Sequence, residues 1–184
     1  FNISASIIKK NLRKKTKAIL AVDLYGHPAD LINIKKLAKK KKLLVVQDAA
    51  QSIGAKINNR PIGSISDTTC FSFFPGKNLG AIGDAGAVTT NDKKFYNVIK
   101  SLRNYGEDNF KDLKDRKYKN SFKGVNSRMD EIQGALLEKK LKDFDLHQKK
   151  RRQIANFYLK NINNPKLLLP FIGKKIVHAW HLFV

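Results

Sequence analysis

The sequence predicts an α/β fold in three layers, with helices on both sides of a mostly parallel, mixed β-sheet. Strand-like and helix-like segments alternate along the chain, which is typical of a sheet covered by helices. The continuous apolar run at 43–46 is typical of a strand that is buried on both faces of a parallel sheet. The length of 184 residues, with 42% hydrophobic residues, suits one domain with a substantial core.

The first half of the chain supplies two predicted strands and the helix between them. Ala18–Val22 is an apolar run that ends in a turn at 23–26. Asp30 is a suitable N-cap for the helix that follows. The apolar face of this helix carries Leu31, Ile34, Leu37 and Ala38. The second strand, Leu43–Val46, leads into the polar segment 47–51.

The next elements are two strands and a second helix. Cys70–Phe74 is a predicted strand that ends in a Pro-Gly turn presenting Lys77, and Ala85–Thr90 is the strand after it. A helix capped near Asn91 or Asp92 then follows. Its inward residues are expected to be Phe95, Val98, Ile99 and Leu102.

The last third begins with a polar, basic stretch at 104–127, which predicts a long surface loop. A long amphipathic helix is predicted from about residue 129 to beyond Tyr158, and Pro165 and Pro170 interrupt its pattern. Its apolar positions are Met129, Ile132, Leu136, Leu137, Leu141 and Phe144. The final residues, 178–184, resemble part of a strand.

The two ends of the sequence lack the features of natural termini. Residue 1 is not Met, no signal-peptide pattern is present, and the last residue falls within a strand-like segment. We therefore expect a segment of a longer protein, truncated at both ends. No apolar run approaches the length of a membrane span.

The single cysteine, Cys70, excludes an internal disulfide and a four-cysteine metal or iron–sulfur site within this sequence. Because Cys70 lies in an apolar strand, we expect it to be packed in the core. This cysteine usage suits a reducing, cytoplasmic environment.

The net charge of +22 raises the question of nucleic-acid binding. Lysine greatly outnumbers arginine, although arginine is favoured for bidentate recognition of bases and phosphates. Aromatic residues do not alternate with the basic runs, as a base-stacking surface would require. We therefore expect solvated helix faces rather than a nucleic-acid site. One such run contains Lys35, Lys36, Lys39, Lys40, Lys41 and Lys42.

Two chemical groups follow apolar strands and can reach the same crevice. Asp48 lies at the C-terminal end of a predicted buried strand, where open α/β sheets bind their ligands. Lys77 lies in the turn after another strand, among aromatic residues rather than in a lysine run. An amine that forms an imine and a carboxylate that keeps a pyridine nitrogen protonated suit pyridoxal phosphate, and Ser72 could bind its phosphate. Taken singly, these residues would be a turn lysine, a capping carboxylate and an ordinary strand serine.

Several motifs occur in a characteristic order around these residues. They are Gln47–Gln51, Ser72–Gly80, Gly83–Ala87, Leu102–Gly106 and Gly124–Glu131. Together they resemble the DegT/StrS-type sugar aminotransferases, which are pyridoxal-phosphate enzymes of fold type I. The resemblance extends from about Lys17 to Leu159 and resumes at 178–184.

The resemblance implies a role for each matching residue of the cofactor site. Lys77 would form the Schiff base with pyridoxal 5'-phosphate and carry the proton between cofactor and substrate carbons. Asp48 would pair with the pyridinium nitrogen, and Ala50 would pack against the ring. Gln51 would contact the phenolic oxygen, and Ser72 would bind the phosphate.

Further residues are implied to act across a dimer interface or on the substrate. Asn126 would reach the phosphate of the neighbouring subunit's cofactor, since active sites of the family form between two subunits of a homodimer. His181 would lie near the substrate pocket, and Tyr105, Tyr118 and Arg128 could line the sugar-nucleotide channel.

The resemblance predicts an aminotransferase that converts a nucleotide-linked keto-sugar into an amino-sugar, with glutamate as amino donor. Residues 1–145 would form part of the large cofactor-binding domain. Residues 146–184 would form a long helix and the start of the small C-terminal domain. The family's N-terminal phosphate-binding turn and most of its small domain have no counterpart here, so we expect the segment alone to be inactive.

Two alternatives remain at this point. One is the sugar dehydratase branch of the same superfamily, which replaces the Schiff-base lysine with histidine and is therefore disfavoured by Lys77. The other is a non-catalytic relative that acts as a regulator or a basic binding module. The presence of both Lys77 and Asp48 disfavours this second reading.

Overall fold

The computed structural model describes residues 1–107 and 119–184. In chain order, its elements are α1 (Ala5–Asn11), β1 (Ala18–Val22), α2 (Leu31–Lys41), β2 (Leu44–Asp48), β3 (Lys56–Ile57), β4 (Arg60–Pro61), β5 (Thr68–Ser72), β6 (Gly86–Thr90), α3 (Lys93–Leu102), α4 (Glu131–Lys142), α5 (Phe144–Asn161) and β7 (Ile176–Val177). A short 3₁₀ turn, Leu24–Gly26, follows β1.

The central sheet has the strand order β1-β2-β5-β6. The first three strands are parallel, and β6 pairs antiparallel with β5. One register row runs across the whole sheet, from Val22 through Asp48 and Cys70 to Val88. The predicted α/β fold with a mainly parallel sheet is therefore confirmed.

Helix α2 covers one face of this sheet. Its apolar residues recur at helical spacing, so that Leu31 and Ile34 are fully buried against Ile19 and Val45 of the strands. Burying a side chain of this size stabilises the fold by about 1.5–3 kcal/mol. The lysines of α2 are exposed, as predicted, apart from Lys35, which is half-buried.

The start of α2 differs in one detail from the prediction. The helix begins at Leu31 as expected, but the Asp30 carboxylate makes no side-chain bond to a backbone N–H of the first turn. It accepts instead from the Asn33 side chain, with both carboxylate oxygens 3.0 Å from Nδ2. The second cap prediction is confirmed, because Asp92 accepts from the backbone N–H groups of Lys94 and Phe95.

The opposite face of the sheet is largely exposed in the described structure. Leu20 is 62% exposed, and Val22, Leu44 and Val88 of the same face are also exposed. The prediction that the 43–46 strand is buried on both faces is therefore wrong for Leu44, although Val45 is fully buried on the other face. Cys70 projects from the same face and is exposed, so the expectation that it is packed in the core is wrong.

A second, small sheet has the order β4-β3-β7. Strands β3 and β4 form a hairpin whose two-residue loop is Asn58–Asn59, and both asparagines have positive φ, as a tight hairpin turn requires. Strand β7 pairs antiparallel with β3. This pairing brings the last residues of the chain back onto its first half.

Several predicted elements differ from those in the structure. The predicted Cys70–Phe74 strand is β5 at Thr68–Ser72, because Asp67 ends the preceding loop and the Pro-Gly turn begins before the lysine. The predicted long helix is divided into α4 and α5 at Asp143, whose φ and ψ of −101° and 3° leave the helical region. Residues 178–184 do not form a strand, since Trp180 adopts a left-handed φ of 50°.

The apolar faces of α3 and α4 are only partly buried. In α3 the fully buried residue is Ser101, while Val98 is exposed. In α4, Leu137 is buried but Ile132 and Leu141 are exposed. Among the residues that the structure describes, no helix is long and apolar enough to cross a membrane.

Gly26 is the point at which three chain segments meet. It has a φ of 97°, and a Cβ atom built on it would lie 2.9 Å from the His181 nitrogen, 3.0 Å from the Trp180 nitrogen and 3.1 Å from the Gln51 carbonyl oxygen. All three neighbours are backbone atoms, which cannot rotate away as a side chain can. Only a glycine therefore fits here without strain.

We expect Gly26→Ala to lower the free energy of unfolding by about 1–3 kcal/mol, because alanine is strained at this φ and its methyl group meets three backbone atoms. Gly134→Ala is the matched control. Gly134 lies within α4 with nothing within 4 Å of an added Cβ, so this change should stabilise the protein by about 0.5–1 kcal/mol. Urea unfolding measures both, and equal effects would contradict the prediction.

Candidate active site

Three strand ends meet at one edge of the central sheet. Because β1, β2 and β5 are parallel, their C-terminal ends lie side by side. Asp23 follows β1, Asp48 ends β2, and Ser72 ends β5. Such an edge is the usual place for a ligand in an open α/β sheet.

Asp48 is half-buried and held by the turn that follows it. Its Oδ1 atom accepts from the Ala50 backbone N–H at 2.9 Å, and its backbone carbonyl accepts from the Asp23 N–H at 3.0 Å. Its register partner Cys70 is exposed on the open face of the sheet. Among the described residues, no donor is within hydrogen-bonding distance of Oδ2, so this oxygen can accept a bond from a ligand.

The buried carboxylate of Asp23 binds residues on both sides of Asp48 and so holds the turn that follows β2. Asp23 is fully buried, and its Oδ2 atom accepts from Ser52 Oγ and Gln47 Nε2, both at 2.6 Å. Its Oδ1 atom accepts from the Ala29 N–H at 2.8 Å. Burial raises the pKa of Asp23 to about 6, and the charge of Asp48 adds to the rise, while the three hydrogen bonds oppose it.

The turn that carries Lys77, here called the lysine turn (residues 73–81), has a tight backbone geometry. The Lys77 N–H donates to the Phe74 carbonyl at 2.9 Å, and the Ala81 N–H donates to the Phe73 carbonyl at 2.7 Å. A Cβ atom on Gly80 would lie 2.3 Å from the Pro75 carbonyl oxygen, so only glycine permits this close approach.

Two side chains of α4 and one side chain of the turn itself fix the position of this turn. Lys140 of α4 donates to the Gly80 carbonyl at 2.6 Å, and Gln133 Oε1 accepts from the Ile82 N–H at 2.9 Å. The side chain of Asn78 donates to the Ala179 carbonyl at 2.7 Å. The position of Lys77 is therefore set by tertiary contacts as well as by the local turn.

Lys77 lines a cleft of about 1120 Å³ beside the open face of the sheet. Ser72, Cys70, Tyr96 and Arg128 also line it. A large cleft with apolar walls and a few polar groups is typical of a site for a small molecule. Asp48 lies next to the cleft, because its register partner on β5, Cys70, is one of the residues that line it.

Gln51 and His181 both contact the turn after β1. Gln51 Oε1 accepts from the Tyr25 N–H at 2.6 Å, which leaves its amide group as a donor. The His181 N–H donates to the Tyr25 carbonyl at 3.1 Å. Burial lowers the pKa of the His181 imidazole, and the positive charges of Lys77 and Arg151 lower it further.

The remaining predicted residues lie around this centre or outside the described part. Asn126 is exposed and forms a β-bridge with Asn104; it does not line the cleft itself, although its neighbours Val125 and Ser127 do. The guanidinium of Arg128 lies over the ring of Tyr105, 5.4 Å from its centroid. Tyr118 is outside the described residues.

The residues present fit pyridoxal phosphate. An amine, a carboxylate and a hydroxyl group end neighbouring segments at one sheet edge, and the small, half-buried Ala50 lies next to the carboxylate. The free Oδ2 of Asp48 is an acceptor suited to a protonated ring nitrogen. Lys77 and Ser72 line the same cleft, and Asp48 and Ala50 lie at the end of the neighbouring strand, whereas Asn126 and Tyr105 are not among the lining residues.

Sequence reasoning missed two residues that organise the site, Asp23 and Asn78. Asp23 ends an apolar strand in the same way as Asp48, which was an available signal. Asn78 directly follows Lys77, but its partners are about a hundred residues away in sequence, so no local pattern could indicate its role.

Comparisons with known proteins match this chain to one family of aminotransferases. Residues 1–184 match the DegT/DnrJ/EryC1/StrS aminotransferase family. One curated relative, from Aneurinibacillus thermoaerophilus, is named dTDP-3-amino-3,6-dideoxy-alpha-D-galactopyranose transaminase. It is 46% identical over 184 residues, which are 100% of this chain and 49% of that protein. The chain thus spans about half the length of the curated relatives it matches.

Solved structures show the same fold. The structure of S. venezuelae DesV in complex with a ketimine intermediate has a TM-score of 0.92 and 39% identity, covering 99% of this chain and 47% of DesV. The structure of ntda from Bacillus subtilis, with bound cofactor PMP, has a TM-score of 0.86 and 31% identity, covering 99% of this chain and 40% of that one.

The raised pKa of Asp23 predicts how Asp23→Asn affects stability at different pH. Folding favours the protonated carboxyl, so its contribution is present at low pH and is lost as pH rises from the ordinary value of 3.8 through about 6. Asparagine does not titrate. The destabilisation by Asp23→Asn should therefore be larger at pH 4 than at pH 7, by about 2 kcal/mol. Urea unfolding at both pH values measures it, and an equal loss at both would contradict this prediction.

Proposed function

Because this chain belongs to the DegT/DnrJ/EryC1/StrS aminotransferase family, we propose that the whole protein is a pyridoxal-phosphate-dependent aminotransferase that converts a nucleotide-linked keto-sugar into an amino-sugar. The observation that carries the proposal is the placement of Lys77 and Asp48. Asp48 ends β2, and Lys77 follows the neighbouring parallel strand β5 and lines a large cleft.

Bound pyridoxal phosphate supplies an aldehyde for amine exchange and a ring that accepts electrons. Lys77 would hold the cofactor through its Nζ amine, and the same amine, when free, would accept and return a proton during the exchange. Asp48 presents its Oδ2 atom as the acceptor that keeps the ring nitrogen protonated. The Ala50 N–H fixes the other oxygen, Oδ1, at 2.9 Å and thus orients the carboxylate.

The other cofactor contacts follow from the sheet edge. The Ser72 hydroxyl is proposed to bind the phosphate, and the Ala50 methyl group to pack against the ring. Gln51 is proposed to donate its amide N–H to the phenolic oxygen. The Tyr25 N–H supports this last role, because it occupies the Gln51 carbonyl oxygen and turns the amide nitrogen away from the backbone.

We propose that the protein acts as a homodimer, with Asn126 of one subunit reaching the cofactor phosphate of the other. Asn126 is exposed, between the cleft-lining residues Val125 and Ser127, so it is accessible to a neighbouring subunit. The exposed apolar residues of the open sheet face are also available for burial against further protein. Residues 1–145 would belong to the large domain and 146–184 to the start of the small one.

The proposed substrates are a nucleotide diphosphate sugar with a keto group and an amino-acid donor, for which glutamate is the candidate. Arg128 and Tyr105 form a cation–aromatic pair at the cleft margin and could bind the nucleotide part. His181 lies close enough to Lys77 for the lysine charge to lower its pKa, which supports a role beside the reacting groups. The relative from Aneurinibacillus thermoaerophilus carries dTDP-amino-sugar transaminase in its name.

We expect Lys77→Ala to abolish covalent attachment of pyridoxal phosphate to the whole protein. Borohydride reduction of the wild-type protein with the cofactor should give a stable secondary amine at Lys77, which peptide mass spectrometry locates. Alanine offers no amine, so labelling at this position should disappear.

The matched control for this experiment is Lys36→Ala, which removes an exposed lysine of α2 and should leave labelling intact. Unchanged labelling in the Lys77→Ala protein would contradict the proposal. It would favour the alternative of a non-catalytic relative, and salt-dependent duplex binding would then support a basic binding module.

We expect Asp48→Asn to retain cofactor binding but to lower kcat by roughly 10- to 100-fold. Asparagine can still accept from the Ala50 N–H but removes the negative charge beside the ring nitrogen. A charge-assisted hydrogen bond contributes about 1.5–3 kcal/mol, which corresponds to this range of rates. Single-turnover kinetics measure the effect, and a kcat within twofold of wild type would show that Asp48 has no such role.

A further inference from the structure

The side chain of Asn78 connects the lysine turn with the end of the chain. Its Nδ2 atom donates to the Ala179 carbonyl at 2.7 Å, and its Oδ1 atom lies 3.3 Å from Nδ1 of His181. These partners are 101 and 103 residues away in sequence. The contact is therefore part of the tertiary structure and not of the local turn.

The chemistry of the partners determines which way the amide points. The Ala179 carbonyl oxygen can only accept, so it requires the amide nitrogen of Asn78 as its donor. The carbonyl oxygen of Asn78 must then be the atom that faces His181. An amide oxygen cannot donate, so the hydrogen bond between them requires a proton on Nδ1 of the imidazole.

We propose that Asn78 is a positioning residue that holds His181 as the neutral Nδ1–H tautomer, with Nε2 unprotonated and able to accept a hydrogen bond or a proton. The backbone of His181 is fixed as well, because its N–H donates to the Tyr25 carbonyl at 3.1 Å. Asn78 thus sets the protonation pattern of the ring, while the 3₁₀ turn sets the position of the residue.

The charged groups around His181 act in the same direction. Lys77 faces it from the lysine turn, and Arg151 faces it from α5, where its guanidinium also donates to the Trp180 carbonyl at 3.3 Å. Burial and both positive charges lower the pKa of the His181 imidazole and thereby favour its neutral form. Asn78 then selects between the two neutral tautomers.

The consequence for catalysis rests on the proposed function. A group beside Lys77 can accept hydrogen bonds from substrate ammonium or hydroxyl groups without adding positive charge only if it is neutral. A neutral imidazole with a free Nε2 lone pair meets this requirement, whereas an imidazolium would add a third positive charge to Lys77 and Arg151. The tautomer itself can be measured without turnover, so its test is independent of the enzymatic proposal.

The test is ¹⁵N NMR of the whole protein with ring-labelled histidine, in which the His181 signals are assigned through their loss in His181→Gln. The wild-type protein should show a protonated Nδ1 and an unprotonated Nε2. Asn78→Ala should lose this pattern and populate the Nε2–H tautomer. Asn78→Asp keeps an acceptor opposite Nδ1 but adds a negative charge, so it should retain the proton on Nδ1 and raise the pKa of His181 by about one to three units.

Gln133→Ala is the matched control, since it removes another amide that holds the same turn but does not touch His181. It should leave the His181 tautomer unchanged. A wild-type Nε2–H tautomer, or the wild-type pattern in Asn78→Ala, would overturn the positioning role.

The acid limb of the kcat/KM profile should move to higher pH in Asn78→Asp by the same amount as the pKa of His181. A fixed limb would remove His181 from the reaction while leaving the tautomer result in place.

Discussion

The close contact of Gly26 with the backbone of Trp180 and His181 is the constraint on which the candidate active site depends. It permits the His181 N–H to bond to Tyr25, whose own N–H holds Gln51. The same chain end receives the Asn78 side chain from the lysine turn. Because Gly26 has no Cβ atom, the turn after Asp48, the lysine turn and residues 179–181 can meet.

Two buried titratable groups near this contact have opposite effects on pH dependence. Burial raises the pKa of Asp23 to about 6, so its contribution to stability falls as pH rises from 3.8. Burial lowers the pKa of His178 to about 4, and His27 adds to this effect, so its contribution rises as pH increases towards 6.5. The two effects oppose each other between about pH 4 and 6, which leaves the folded state less sensitive to acid than either group alone would make it.

Much of the fold and the centre of the site could be predicted because they depend on local patterns. Lys77 and Asp48 each follow an apolar strand, and parallel order alone places such positions at one edge. The break at Asp143 was missed because the apolar periodicity continues through it. The exposure of Cys70 and Leu44 could not be foreseen, since an apolar strand does not reveal which of its faces is covered. The role of Asp23 depends on Gln47 and Ser52, which are 24 and 29 residues away.

The bonds from Asn78 to Ala179 and His181 also have a kinetic meaning. Contacts between residues more than a hundred positions apart close large loops, and this ordering cost delays their formation during folding. During synthesis, the strands of the central sheet and both turns leave the ribosome well before residues 178–182 do. We infer that the crevice between the turn of Lys77 and the turn after Asp48 closes only once residues 178–182 have been synthesised.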